Sequence, residues 1–159
     1  MKKVFGVILA FILLPSAANA AKCENSPALL GSAIAYFDEA KIVAESKNIH
    51  SQLVMRKVLR RAGRGALKAS SAVVKCGASS LSSGLVEVMA FDDEVLQRLL
   101  GLRMYPHNGD LSTEVALQMV DTLTMHAIKE TYSSSDVDTL LDINSAIALL
   151  EHVEMTLLN

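Results

Sequence analysis

A group of positively charged residues is the feature of this sequence with the clearest chemical potential. The Lys and Arg residues recur at steps of one, three and four along one segment: Arg56, Lys57, Arg60, Arg61, Arg64 and Lys68. At 100° per residue, an α-helix places them within about 140° of its circumference. The segment therefore predicts a helix with a basic face, which could bind phosphate groups, anionic lipid, nucleic acid or an acidic protein.

The basic face has two interpretations that the sequence leaves open. As a binding site, it stays exposed and holds an anionic partner. As a structural feature, it is a solvated helix surface whose positive charge is partly neutralised by acidic residues elsewhere in the fold or in a second copy of the chain. The candidate acids lie near the two ends of the last predicted helix: Asp136, Asp138, Asp142, Glu151 and Glu154.

The distribution of charge along the chain favours a partner of opposite charge. Residues 21–80 hold ten Lys and Arg against four acids, a net of +6, whereas residues 81–159 hold three against thirteen, a net of −10. Such an asymmetry predicts acid–base complementarity, either with another protein or between the two copies of a homodimer. Nucleic acid is disfavoured, because the basic face has no aromatic residue on which bases could stack and the chain is acidic overall.

Anionic lipid remains an alternative partner of the basic face. The opposite side of this helix carries mainly small residues, whereas interfacial helices present bulky apolar side chains to a membrane. The small stripe predicts instead that this side packs closely on a neighbouring helix. Its members recur at helical spacing: Met55, Leu59, Ala62, Ala66, Ala69 and Val73.

The side chains that could perform catalysis or bind metal are scattered. No two of the histidines (His50, His107, His126 and His152) have the spacing of a zinc site, and His126 is interpreted as a core residue beside Met119. Nucleophile, phosphate-binding and dinucleotide motifs are absent, so we predict no cofactor and no metal. A binding protein is favoured over an enzyme. The enzyme alternative is a hydrolase using carboxylates that converge from distant positions, or His107 in a loop.

The beginning of the chain predicts export. Lys2 and Lys3 precede an apolar run from Val4 to Leu14, and Ala18-Asn19-Ala20 fits a signal-peptidase site, so we expect residues 1–20 to be removed. The apolar run is shorter than the roughly 20 residues that a membrane span needs. The remaining segment, 21–159, is predicted to form one domain that works in the periplasm or is secreted.

The two cysteines are consistent with an oxidising compartment outside the cytoplasm. Cys23 precedes the first predicted helix, which begins near Ser26 and Pro27, and Cys76 ends the second, so a Cys23–Cys76 disulfide would staple an antiparallel hairpin.

Further helices follow Asp92, Ser112 and the serine run at 133–135, while Leu81–Phe91 is ambiguous between helix and strand. The predicted fold is all-α, a compact bundle of four to six helices.

Together, these features predict an exported, small helical binding protein of the cell envelope. The leading form is an inhibitor or immunity-type protein that binds another protein. The alternatives are a secreted effector or binding module that uses the basic helix for anionic lipid or other anions, and a small envelope hydrolase with a non-local carboxylate and histidine site.

Overall fold

Five helices and two short strands form the described part of this computed structural model, which covers residues 25–46, 51–77, 85–87, 91–102, 110–133 and 136–158. In chain order, the elements are α1 (Ser26–Glu45), α2 (Ser51–Gly77), β1 (Leu85–Glu87), α3 (Asp93–Gly101), β2 (Asp110–Ser112), α4 (Thr113–Ser133) and α5 (Asp136–Leu158). The prediction of a helical bundle is confirmed. The predicted signal peptide, His50 and the loop containing His107 lie outside the described residues.

Local signals explain where several elements begin and end. α1 begins at Ser26, as predicted, with Pro27 in its first turn and Asn25 in the N-cap position. Asp92 is the N-cap residue of α3, with the extended backbone that such a position requires. The hydroxyl oxygen of Ser112 accepts a hydrogen bond from the backbone N–H of Val115 at 3.2 Å, which satisfies a donor in the first turn of α4.

The ambiguous segment contains a strand. β1 pairs with β2 in antiparallel register, with Val86 opposite Leu111. Each strand has three residues, so the pair is a short ribbon beside the helices and not a sheet that could support a domain by itself.

The four long helices form a ring of contacts. α1 packs against α2 and α5, and α4 packs against the same two helices, while the shorter α3 packs on α5. α1 and α2 run in opposite directions, because Arg61 lies beside Glu39 while the position of Gly65, one turn later, lies beside Ala33. The arrangement is that of a four-helix bundle with one added short helix.

The small stripe of α2 faces the core, as its spacing predicts. Its six members are between 0% and 5% exposed: Met55, Leu59, Ala62, Ala66, Ala69 and Val73. Burial of this stripe fixes the rotation of α2. Because the basic residues lie on the opposite side of the helix, the packing that stabilises the bundle also turns them towards solvent.

The glycines of α2 lie within one continuous helix and allow close approach on both sides. A Cβ at Gly63 would lie 3.0 Å from Cγ2 of Thr124 in α4, and a Cβ at Gly65 would lie 3.1 Å from the ring of Tyr36 in α1. Glycine costs about 1 kcal/mol in a helix interior, so the benefit here is the tighter contact of α2 with both neighbours.

α5 packs against three of the other helices. It contacts α1, α3, α4 and β1. Its fully buried apolar residues are Ile143, Ala146, Leu149, Leu150 and Val153. Each buried Leu or Ile contributes roughly 1.5–3 kcal/mol through removal of apolar surface from water.

The predicted disulfide staple is not supported by the structure. The described residues contain no disulfide bond. Cys23 lies outside them, as does the side chain of Cys76, so the pairing stays a prediction. Within the same residues, none of the helices combines the length and the apolarity needed to cross a bilayer.

Candidate functional site

A cleft of about 330 Å³ opens on the outer side of α2, and we call it the basic cleft. It is lined by Leu53, Arg56, Lys57, Arg60, Arg64 and Tyr132. The structure therefore brings together four of the six residues that the sequence assigned to a basic face. It adds an exposed leucine from the same helix and a tyrosine from the last turn of α4.

Arg56 is held in place at the junction of α2 and α4. Its Nε donates a hydrogen bond to the backbone carbonyl of Gln52 at 3.2 Å, and its guanidinium lies 4.3 Å from the centre of the Tyr132 ring. A cation over an aromatic face is stabilised by about 0.5–1 kcal/mol at an exposed site. These contacts order the guanidinium before any partner arrives, which lowers the entropy cost of binding an anion.

The other cations of the basic cleft are solvent-exposed. Arg64 is anchored through Nε, which donates to the carbonyl oxygen of Arg60 at 3.3 Å, while Lys57 and Arg60 are exposed beside it. Among the described residues, no carboxylate lies within 4.0 Å of any cation of the basic cleft.

Tyr132 reports the positive potential of the basic cleft. The Arg56 guanidinium, by hydrogen bonding to the phenol, lowers the pKa of Tyr132 below its ordinary value of 10.0, and the charges of Arg56 and Arg60 act in the same direction. The physical reason is that nearby positive charge favours the anionic phenolate. An anionic group of a ligand would be favoured at this position for the same reason.

The two remaining residues of the predicted basic face do not line the basic cleft. Arg61 points towards α1, where Nη1 lies 3.7 Å from Oε2 of Glu39 and the guanidinium is 5.7 Å from the centre of the Tyr36 ring. Lys68 is exposed one turn beyond Arg64. The predicted six-residue site thus divides into four residues that share a cleft and two that lie outside it.

Within one chain, the carboxylates of Asp138 and Asp142 bind Arg98 of α3 and form no described ion pair with the basic face. Glu154 faces α1, with Oε1 at 3.6 Å from the place where a Cβ of Gly31 would lie. Glu151 is exposed, and the side chain of Asp136 lies outside the described residues.

Three helices contribute to a second group of ionisable residues, which we call the charge cluster: Arg98, His126, Glu130, Asp138 and Asp142. Asp142 is completely buried, and its Oδ1 accepts a hydrogen bond from Nε of Arg98 at 2.7 Å. Nη1 of Arg98 donates to Oδ1 of Asp138 at 3.1 Å. The carboxylates hold the pKa of Arg98 above its ordinary value, with the Asp142 hydrogen bond as the main cause.

The orientation of His126 follows from the buried carboxylate. Its Nδ1 lies 2.7 Å from Oδ2 of Asp142, and a carboxylate can only accept, so we assign the Nδ1–H as the donor. Nη2 of Arg98, 3.2 Å from the same nitrogen, is therefore a neighbour and not its hydrogen-bond donor. Nε2 is directed towards Oε1 of Glu130 at 3.6 Å.

The interpretation of His126 as a core residue beside methionines is corrected by this geometry. It is partly exposed, at 28% of its side chain, and it connects a buried aspartate to the exposed end of α4. A histidine held by a carboxylate is oriented as a general base would be. None of the residues that line the basic cleft belongs to the charge cluster, however, so the histidine and the cleft are separate features.

Sequence reasoning missed Tyr132, Arg98 and Glu130 as members of these groups. A signal for the charge cluster existed in the pairs His126 and Glu130, and Asp138 and Asp142, each spaced by four residues and so on one helix face. Nothing in the sequence related either pair to Arg98. Tyr132 is close to Arg56 only because α2 and α4 pack together.

Among the described residues, no group of three or more His, Cys, Asp or Glu side chains is arranged to hold a metal ion. Comparison with protein-family models, with curated proteins and with solved structures finds no match to this chain.

Proposed function

We propose that this chain is an exported helical binding protein that recognises one protein partner through its basic cleft. The observation that carries this proposal is the concentration of positive charge in one cleft. Four cations share the cleft, and no described carboxylate lies within 4.0 Å of them. The acids of α5 that could have answered this charge include Asp138 and Asp142, and both bind Arg98 instead.

Repulsion between the arginines of the basic cleft lowers the stability of the isolated fold. Arg56, Arg60 and Arg64 follow one another at four-residue steps along α2. Like charges at this spacing repel by about 0.2–0.5 kcal/mol per pair. An anionic partner converts that repulsion into attraction, and complementary charge also accelerates the encounter between two proteins. A binding role therefore explains a pattern that folding alone does not require.

The protein class that fits best is an inhibitor or immunity-type protein. Such a protein needs a rigid scaffold and a surface complementary to one partner, and it needs no catalytic centre. The packed helices supply the scaffold, because the rotation of α2 is fixed by its buried small stripe. A second copy of the chain is a rival partner, since residues 81–159 carry thirteen acids and could meet the basic cleft in a homodimer.

Export and the Cys23–Cys76 disulfide belong to the same proposal. The lysines and apolar run within residues 1–20 support export, and an oxidising compartment would favour pairing of the two cysteines. Alkylation of the protein isolated from its native compartment, followed by mass spectrometry, tests the pairing. Two alkylated thiols before reduction would contradict it.

A small hydrolase is the second candidate function, and His126 is the observation that favours it. The buried Asp142 orients its imidazole through a 2.7 Å hydrogen bond. The carboxylate of Glu130 lies 3.6 Å from Nε2 and so occupies the position beside this nitrogen where a substrate would have to bind. The binding function is preferred because the basic cleft holds four cations, and none of the residues that line it belongs to the charge cluster.

The test is capture of partners from the producing cells with the full mature chain as bait. A variant with Arg56, Arg60 and Arg64 changed to Gln removes three charges from the basic cleft. A matched variant with Lys41, Arg61 and Lys75 changed to Gln removes the same charge elsewhere. We expect one stoichiometric protein to be retained by wild type and by the matched variant, and to be lost from the cleft variant. Equal retention by all three baits would contradict the proposal.

A further inference from the structure

The outer face of α2 carries exposed apolar side chains as well as cations. Leu53, which lines the basic cleft, is 73% exposed, and Leu67 is 61% exposed. The two leucines are two heptads apart, so they lie on the same side of α2, about 21 Å apart along its axis at 1.5 Å per residue. The cations of the basic cleft lie between them in the sequence.

The adjoining face of α4 repeats this combination. Tyr132 and Met125 are each 62% exposed. They are one heptad apart and so share a face of α4, with the exposed Lys129 between them. A single exposed apolar residue is ordinary on a protein surface. Rows of apolar residues interleaved with cations on two neighbouring helices are a less common pattern.

The two faces adjoin because α2 and α4 are in contact along their length. Arg56 lies over Tyr132, and Gly63 lies beside Thr124, so the residue numbers increase on one helix as they decrease on the other. The helices are therefore antiparallel. Their outer faces meet at the basic cleft, and we call the strip of surface from this cleft to the exposed Leu67 and Met125 the channel.

We propose that the partner inserts an acidic amphipathic helix into this channel. The inference rests on the proposed function and specifies the chemistry of the partner. An amphipathic helix in a groove is recognised through apolar anchors at steps of three, four and seven residues. Here the anchors would contact Leu53, Leu67 and Tyr132, while carboxylates on either side of the apolar row would pair with Arg56, Arg60 and Arg64.

The dimensions of the channel fit a short helix. A helix of about fourteen residues spans 21 Å, which is the distance between the two leucines along α2. Carboxylate side chains three or four residues apart on such a helix match arginines at four-residue steps. A guanidinium can bind a carboxylate through two parallel hydrogen bonds, which adds direction to the charge attraction.

A random library of sixteen-residue peptides, displayed on phage and selected on the full mature chain, tests this inference. Two variants separate the apolar and charged contributions. The first changes Leu53 and Leu67 to Asn. Its control changes Ile42 and Leu100 to Asn, because these apolar residues are comparably exposed, at 67% and 56%, but lie on α1 and α3. The second is the Arg56, Arg60 and Arg64 to Gln variant.

We expect the selected peptides to be rich in Asp and Glu and to carry Leu, Ile or Phe at steps of three, four or seven. We expect binding to weaken at least tenfold in the Leu53 and Leu67 variant and less than twofold in its control. Acidic peptides without periodic apolar residues, bound equally by the leucine variant, would overturn this inference and leave the proposed function standing.

Two further outcomes would overturn this inference, while the capture experiment decides the proposed function separately. One is a selection that yields no enrichment of acidic peptides. The other is binding to vesicles containing 30% phosphatidylglycerol while no selected peptide binds, because the exposed leucines and cations would then serve a lipid surface.

Discussion

Arg98 and Asp142, which are 44 positions apart in the chain, are joined by a 2.7 Å hydrogen bond between Nε and Oδ1. Asp142 is completely buried, whereas the Arg98 side chain is 15% exposed. The bond ties the short helix α3 to the central helix α5. Since a buried carboxylate without a partner is strongly unfavourable, the position of α3 and the burial of Asp142 depend on each other.

Replacing Arg98 with Met should therefore destabilise the fold by about 3–5 kcal/mol, the usual consequence of leaving one member of a buried ion pair without its partner. Urea unfolding followed by circular dichroism measures the change. Arg61→Met is the matched control, because its pairing with Glu39 is solvent-exposed. Such exposed pairs are worth less than about 1 kcal/mol, and similar losses in both variants would contradict the assignment.

His126→Leu should cost about 1–3 kcal/mol, because Oδ2 of the buried Asp142 would lose its 2.7 Å donor. The effect should not add to that of Arg98→Met, since both residues serve the same carboxylate. A double-mutant cycle measures the interaction, which we expect to exceed 0.5 kcal/mol. Strict additivity would show that the two donors act independently.

Much of the fold could be predicted because it depends on local patterns. The stripe from Met55 to Val73 predicted both a helix and its buried side, and all six members are buried. Asp92 marked the N-terminus of α3. The segment around Val86 was ambiguous, because a short apolar run fits a strand or a helix turn, and its pairing with Leu111 shows that it contains a strand.

The site was less predictable because its members come from different helices. Helical spacing placed Arg56, Arg60 and Arg64 on one face, but it could not place Tyr132 beside them. The acids of α5 looked available to α2 from their charge alone. Arg98, which binds Asp138 and Asp142, lies in a helix of nine residues whose docking on α5 is a tertiary contact with no local signature.

Replacing Gly63 or Gly101 with Ala should change the stability of the fold in opposite directions, because the two positions differ in how closely other atoms approach them. At Gly63 the new Cβ would meet Thr124, which is 3% exposed and whose Oγ1 donates to Val120 at 2.7 Å, so that side chain has little room to turn away. Overpacking of about 1–3 kcal/mol should outweigh the gain in helix propensity. Gly101→Ala meets nothing within 4 Å and should stabilise by about 0.4–1 kcal/mol. Thermal unfolding of both variants checks the signs, and a stabilising Gly63→Ala would contradict the close contact of α2 with α4.

Tyr132 should ionise at a lower pH than an ordinary tyrosine, because hydrogen bonding by Arg56 and the adjacent charges lower its pKa. NMR titration of the tyrosine ring carbons measures this directly. Arg56→Gln should raise the pKa towards 10.0, whereas Lys75→Gln should leave it unchanged. As the pH rises through the pKa of Tyr132, the phenolate adds negative charge to the basic cleft. Binding of an acidic partner should therefore weaken over the same range.

The basic cleft is the centre of this account, and the dissociation constant of the captured partner as a function of salt tests it most directly. We expect wild type and the Lys41, Arg61 and Lys75 to Gln variant to bind alike, with affinity falling as salt screens the exposed charges. The Arg56, Arg60 and Arg64 to Gln variant should bind at least tenfold more weakly, with a smaller salt dependence and an unfolding free energy within about 1 kcal/mol of wild type. Unchanged binding by that variant, together with a large loss of stability, would contradict a binding role and show that the cations serve the fold.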